Sequence, residues 1–600
     1  TVTMQNCILT GNTTKFDNVM STYIGYGGGV YHMGGILKIY GGEIRGNSAN
    51  DGGGVYAEKA NVTITGCTFT GNESSEHGGG IQVTGGTATM EHCTFTGNKS
   101  SSGGDGGGMR ITGGTVEITS CTFTGNSAFS GGAIDVLGTN DISASVTISG
   151  GIIGGTGTDA KNSANSTYDD RGGGGIHVSG KAVVTIQNYT DGDTEQGVMI
   201  IGNTAGTSGG QGGGVYLAEN STFKMYGGSI TGNTGSGKGD GVYVASASSS
   251  DSQDANFIMG GAACVGKWDS AGILQDRNDV YLGKNTYSGH LVSIKIDKHK
   301  PITLSKAACI TPQLYDDSQA VLRMSDGSAV GNYNDKFTVT PQDLGGGDTQ
   351  HWEVDSDGKL MRVVDAVKYP NNAWKALKAA VNAAQPGGTI TVKGEVKATN
   401  DNGNNGEITI SKNLTIKKAD SATPAVLDAN GQAHRILKIT GNAQVFLENL
   451  TLQNGKETTR SDTVGSGGGG IFMEGTAHLR LTGVTIQNCT SKAPGGGLRM
   501  DHDVTGGGTL TMKGCKIINN TVKDDSGIKE SSGGGIGLPN CPYTAVIDTC
   551  EISSNKVDVS TKKGSGPLTI TACGLYTGNK PNSITEIKGH TVIDGNSYVK

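Results

Sequence analysis

The chain has 600 residues, 103 of them glycine and only 11 proline, with 34% hydrophobic and 17% charged residues. Glycine without a G-X-Y period excludes a collagen triple helix, and β-branched residues recurring in short alternating runs exclude a disordered chain. A net charge of −7, a pI near 5.9 and the absence of any Lys/Arg run argue against a nucleic-acid partner, and no apolar stretch is long enough to span a bilayer.

From its first residues, "TVTMQNCILTGN", the chain is repetitive. A hydrophobic residue follows each glycine cluster: Val30, Val55, Ile81, Met109, Ile134, Ile176, Val215 and Val242, spaced by 25, 26, 28, 25, 42, 39 and 27 residues. Such a period predicts a solenoid, with the long gaps holding one coil plus an inserted loop. Each period reads "GGG-φ-x-φ", a turn, an alternating strand such as "NVTITG", then "CTFTGN". Three short strands with glycine or polar corners make one coil of a parallel β-helix. Alternation sends Val62, Ile64 and Phe69 inward, and stacking then lines up Phe69, Phe95 and Phe123. Asn12, Asn47, Asn72, Asn98, Asn126, Asn203 and Asn233 align at one corner, where asparagine tolerates turn geometry and bonds neighbouring backbone.

Of the eleven cysteines, Cys7, Cys67, Cys93 and Cys121 fill a slot that other repeats give to glycine (Gly42, Gly228), which reads as small buried free thiols. Cys541 and Cys550, nine residues apart beside Pro542, are the better disulfide candidates.

From about Asn278 the strand-like runs no longer follow glycine clusters. Residues 286–365 contain strand-like runs ("LVSIKI", "AVLRM", "KFTVT") and read as a β-rich segment capping the first module, 1–285. In "NNAWKALKAAVNAAQPGG", Trp374, Leu377, Val381 and Ala384 share one helical face and Pro386-Gly387-Gly388 ends the run. A capping helix at about 371–385 thus opens a second β-helix, 366–600, whose repeats are marked by Ile471, Leu498, Ile536 and Leu575. The expected fold is all-β: two right-handed parallel β-helix modules in tandem, joined by a small β-rich cap and a short amphipathic helix, within a longer tandem-module chain.

The pairing of "GGGV/GGAI" with "FTGN" over most of 1–260 and 465–600 resembles the polymorphic outer-membrane-protein repeats and related right-handed parallel β-helix repeats of bacterial surface proteins. The resemblance implies a secreted or surface-displayed, adhesin-like protein, located extracellularly and facing a glycan or a host or neighbouring cell.

The x residues of "GGG-φ-x-φ" form one column: Tyr31, Tyr56, Gln82, Arg110, Asp135, His177, Tyr216 and Tyr243, with Phe472, Arg499, Gly537 and Tyr576 in the second module. Tyrosines flank a polar centre, and the two long inserts lie on either side of His177, where they could wall a cleft. On an outward face, aromatic rings suit sugar stacking, and Arg and Asp suit bidentate polar contacts. This column is the expected ligand-binding site. An ordinary surface ladder of stacked tyrosines and ion pairs, hence a structural spacer, accounts for the same residues. A carbohydrate-active enzyme, a lyase or hydrolase, is the other alternative, with Asp135 and His177 transferring protons and Arg110 clamping an anion. Against it, only Asp135 supplies a carboxylate in the column, where glycoside hydrolysis wants two; Asp169 and Asp170 could add one. "LRMDHD" (Arg499, Asp501, His502) repeats part of this chemistry. No zinc or nucleotide motif appears and no cofactor is expected; calcium at the Asp169–Asp170 loop is the one metal to consider.

Overall fold

The computed structural model describes the chain except residues 15–24, 102, 140, 167, 169–170, 207–208, 346, 459–465, 475, 501–507, 524–529, 532, 539–542, 559–568, 571–572, 578–583 and 600. It divides into two compact units, 1–340 with 354–360 and 341–353 with 361–600.

The first unit is a right-handed parallel β-helix. Its coil is legible in one repeat: Ile81–Glu91, Thr94–Thr96 and Lys99–Ser100 each pair in parallel with the equivalent strands one repeat before and after. Period-two alternation buries the inward residues Val62, Ile64 and Phe69. Phe69, Phe95 and Phe123 stack with centroids 4.6 and 4.5 Å apart. The corner asparagines form an unbroken internal ladder. From Asn47 onward each side-chain oxygen accepts from the preceding asparagine and each amide reaches a backbone carbonyl, as in Asn98 Nδ2 to Asn126 Oδ1 (3.0 Å) and to Phe69 O (3.0 Å). Asn162 and Asn278 also belong to this ladder. Cys67, Cys93 and Cys121 are buried free thiols and Cys550 is likewise free, while Cys541 lies outside the described residues.

The ladder does not stop at residue 285. Val280–Leu282, Ile294–Ile296, Ala308–Pro312, Leu322–Met324 and Phe337–Val339 continue it in parallel register. The part of 286–365 up to Val339 therefore adds further rungs rather than closing the solenoid. Parallel stacking needs only alternating apolar residues and free backbone partners; Ile294, Ile296, Ile310 and Leu322 supply the first without any glycine cluster.

In the second unit, helix α1 (Ala373–Ala383) buries Trp374, Leu377 and Val381, and Trp374 Nε1 donates to Gly406 O at 2.9 Å. Parallel strands follow, from Gly388–Lys397 through Leu414–Lys418, Gln444–Glu448, His478–Thr482 and Gly508–Lys513. No helix among the described residues is long and apolar enough to cross a membrane.

Candidate functional site

Strand register brings all eight x residues of the first unit into one line. Tyr31 pairs with Tyr56, Tyr56 with Gln82, Gln82 with Arg110, Arg110 with Asp135, Asp135 with His177, His177 with Tyr216 and Tyr216 with Tyr243. Tyr281 extends the line. In the second unit Phe472, Arg499, Gly537 and Tyr576 are likewise in register. Asp501 and His502, and the loop acids Asp169 and Asp170, lie outside the described residues.

These side chains do not stand on an open surface as expected. Tyr31 is 47% exposed, but Tyr56, Gln82, Arg110, Asp135, His177 and Tyr216 are buried. The cause is a second column that sequence reasoning missed. The glycine turn before each strand carries a residue five positions ahead of x: Tyr26, Asp51, His77, Asp105, Ser130, Gly172, Gln211 and Lys238. Bridges and turn hydrogen bonds run coil to coil along this line: Tyr26 with Asp51, Asp51 with His77, Gly78 N to Asp105 O, Gly106 N to Ser130 O, Gly131 N to Gly172 O, Gly172 with Gln211, and Gly212 N to Lys238 O. The two columns touch: Tyr26 packs on Tyr56 (4.4 Å between centroids), Arg110 Nη2 is 3.7 Å from Asp105 Oδ2, and the Gln82 amide nitrogen donates to Asp51 Oδ1 at 3.1 Å.

At the centre Asp135 is 1% exposed. His177 Nδ1 donates to its Oδ1 at 2.6 Å and Arg110 Nε to its Oδ2 at 3.1 Å. Burial pushes the carboxyl up, but the His177 hydrogen bond and the facing positive charges outweigh it and hold Asp135 below the usual range. It is a carboxylate with both oxygens taken, suited to orienting His177 and Arg110 and unsuited to donating a proton. Arg110 lies between Asp135 and Asp105, so its charge is matched before any anion arrives. Arg171, from the insert before His177, approaches Asp105 Oδ1 (3.8 Å) and lies over the Phe129 ring, which Tyr168 meets edge-on.

Further along, burial and then Glu76 push Asp51 up to about 6. Burial and then Arg110 lower His77 to about 4, so its ring is neutral. Burial also raises Asp105. Among the described residues, Asp51, Glu76 and His77 form the one group whose ligand atoms could meet a metal, all within 4.8 Å of one another. The His77 ring does not fit that role. The Asp105 N–H donates to its Nδ1 at 3.0 Å, which puts the ring proton on Nε2 and leaves no lone pair for an ion. Two carboxylates remain, well short of the six to eight oxygens calcium takes.

Two aromatic ladders flank this centre. His177, Tyr216, Tyr243 and Tyr281 stack at 5.1 to 5.3 Å with interplanar angles of 6 to 26°, so most ring faces cover one another. Beyond Tyr243 the face opens into a groove of about 770 Å³ lined by Lys238, Asp240, Asp279, Tyr281 and Thr311. Three oxygens of the second column have no hydrogen-bond partner among the described residues: Asp105 Oδ1, Ser130 Oγ and Gln211 Oε1. The signal that could have found this column is positional only, since its residues share no type.

Residues 1–153 match the family model described as right handed beta helix region. No curated protein matches the chain in sequence. Among solved structures it is similar to the PL6 family alginate lyase AlyGC, at 12% identity and a TM-score of 0.17, over 94% of this chain and 97% of that one. An arginine-to-alanine mutant of the same lyase is similar at 11% identity and a TM-score of 0.21, over 100% of this chain and 97% of that one. Scores this low carry no argument about activity; the right-handed parallel β-helix rests on the strand register and on the matched region.

Proposed function

We propose that this chain is a secreted or surface-displayed, adhesin-like scaffold whose two-column face binds a glycan of its surroundings or of a host or neighbouring cell. One observation carries the reading. Asp105, Ser130 and Gln211 are each more than nine-tenths buried, stand on one column, and each keeps an oxygen with no hydrogen-bond partner among the described residues. An unmet buried polar group costs about 1–3 kcal/mol, so three in a line are a costly way to build a mere spacer. Ligand hydroxyls can supply the missing donors. Coils repeat at roughly 4.8 Å, close to the length of one sugar unit, so a glycan laid along the axis offers hydroxyls at matching intervals. Glu76, His77, Arg171 and Tyr168 form the more exposed rim through which it enters. Tyr31, Tyr56, Gln82, Arg110, Asp135, His177, Tyr216 and Tyr243 form the adjoining wall.

The enzymatic alternative, a lyase or hydrolase working through Arg110, Asp135 and His177, draws less support. Asp135 has no free oxygen and Arg110 no unmatched charge for an acidic substrate.

The test is oligosaccharide-array binding by the wild type, Ser130→Ala and Gln211→Leu, with product release measured in parallel on wild type and Asp135→Asn. Removing an unmet acceptor leaves the fold as stable or more so, yet affinity should drop by about tenfold for each lost hydroxyl contact. Binding that ignores both substitutions, or no binding to any glycan, refutes the reading. Turnover abolished by Asp135→Asn makes the chain an enzyme.

A further inference from the structure

The two ends of the polar centre differ in chemistry. If the face binds a glycan, as proposed above, the end towards Tyr31 specifies the class of sugar. Tyr26, Tyr31 and Tyr56 cluster there with ring centroids 4.4 to 5.8 Å apart. Asp51 and Glu76 come together beside them, with ligand oxygens within 4.8 Å of each other. Tyr26 and Asp51 pair on neighbouring coils, and burial and then the negative charges of Asp51, Glu58 and Glu76 push the Tyr26 hydroxyl up. The cation that acts on Asp51 is Arg110, already bonded to Asp135. Independently, Asp105, two coils beyond Asp51 on the same column and more than nine-tenths buried, has no hydrogen-bond partner for Oδ1 among the described residues, with Arg171 Nη1 standing off at 3.8 Å. Electron-rich ring faces beside paired carboxylates are the chemistry that recognises an ammonium group. Unmet acceptors farther along the column call for hydroxyl donors.

We propose that the face takes an amino-sugar oligomer, with a protonated primary amine seated between the Tyr26–Tyr31–Tyr56 rings and the Asp51 and Glu76 carboxylates, and with sugar hydroxyls on Asp105, Ser130 and Gln211. Among the described residues the carboxylates Asp51, Glu58, Glu76, Asp105 and Asp135 outnumber the arginines Arg110 and Arg171 over this stretch, so a uronate chain is repelled. The groups around Asp51 are Glu76, Glu58, His77, Arg110, Gln82, Tyr26 and Tyr56. Of these Asp51 itself changes charge near pH 6, while His77 stays neutral until about pH 4. Affinity for the amine therefore falls between pH 7 and pH 5, although the ligand's own amine gains protons over the same range.

The experiment is titration calorimetry of the full chain with glucosamine oligomers, N-acetylglucosamine oligomers of equal length, a uronate oligomer and oligolysine, on wild type, Glu76→Gln and Asp51→Asn. The expected result is glucosamine oligomers bound about tenfold tighter than the acetylated ones, with the advantage lost in both variants and at pH 5. Glu76 is exposed, so Glu76→Gln folds and keeps the test sound if Asp51→Asn does not. Equal affinity for amine and acetylated forms, preference for the uronate, or a glycan outside this panel bound instead overturns the inference and leaves the glycan reading standing. Oligolysine bound as tightly as the sugar overturns the sugar class. No binding to any glycan overturns both.

Discussion

The asparagine ladder makes a quantitative prediction at Asn126. Its Oδ1 accepts from Asn98 N and Asn98 Nδ2, both at 3.0 Å, and its Nδ2 donates to Phe95 O at 2.9 Å and to Asn162 Oδ1 at 3.0 Å. Asn98, Asn126 and Asn162 are all 0% exposed. Asn126→Ala leaves the Asn98 N–H and one hydrogen of the Asn98 amide unmet where water does not reach. At about 1–3 kcal/mol for each buried group, moderated by relaxation, the loss is roughly 4 kcal/mol. Asn126→Asp keeps the shape and the acceptor but turns a donor into an oxygen facing two acceptors, and adds an unpaired buried charge. It should therefore be worse than alanine at pH 7. Burial with no cation raises that carboxyl, so its stability deficit is absent below the ordinary carboxylate range and develops as pH rises through its folded value. Native-state hydrogen exchange of the strands Thr94–Thr96 and Thr122–Thr124 reads the effect locally: roughly a thousandfold loss of protection in Asn126→Ala. A loss under tenfold, or an aspartate variant milder than alanine at pH 7, refutes the claim that the ladder is a structural spine.

Three further predictions concern protonation and backbone. Asp51, raised to about 6, favours the folded state below its ordinary value near 3.8 and loses that contribution as pH rises through 6. Asp51→Asn should therefore raise the thermal midpoint relative to wild type at pH 7 and not at pH 4; an equal difference at both pH values contradicts the assignment. His77 has the opposite sign: its contribution is present above about 6.5 and lost as pH falls through 4, so His77→Gln should flatten the acid arm of the same profile. Among glycines, a Cβ on Gly79 would meet the carbonyl oxygens of Gly107 and Lys99 at 2.5 Å, whereas one on Gly71 meets nothing within 4 Å and carries only the strain of φ +58°. Gly71→Ala should lower stability by about 1 kcal/mol and Gly79→Ala by several-fold more, measured as soluble yield and unfolding midpoint. Similar losses at the two sites contradict the close stacking of the glycine turns.

The fold was legible where physics repeats a residue type. Inward phenylalanines, corner asparagines and the apolar position after each glycine cluster recur because every coil meets the same environment, and the x column followed from them by counting. Asn162 escaped because its coil reads "AKN" instead of "TGN", yet the ladder needs only the side-chain amide. The rungs after residue 285 escaped because they stack through alternating Ile, Leu and Val without the glycine turns that marked earlier coils. The second column escaped for a different reason. Tyr26, Asp51, His77, Asp105, Ser130 and Gln211 share a position but no chemistry, so repetition gives no sign of them, and only the turn geometry brings them against the x residues. That contact also changes what the x residues can do. Arg110 reads from sequence as a free anion clamp, and in the fold it is bonded between two carboxylates.

The central claim is that a glycan lies along the two-column face, and the most direct measurement is a hydrogen-exchange footprint of the first unit with and without the tightest-binding oligosaccharide. The account predicts slowed exchange in the glycine turns and following strands at 51–56, 77–82, 105–110, 130–135 and 211–216, with the sheet carrying Thr94–Thr96 unchanged. Protection confined to the second unit, or centred on the sheet carrying Thr94–Thr96, would contradict it.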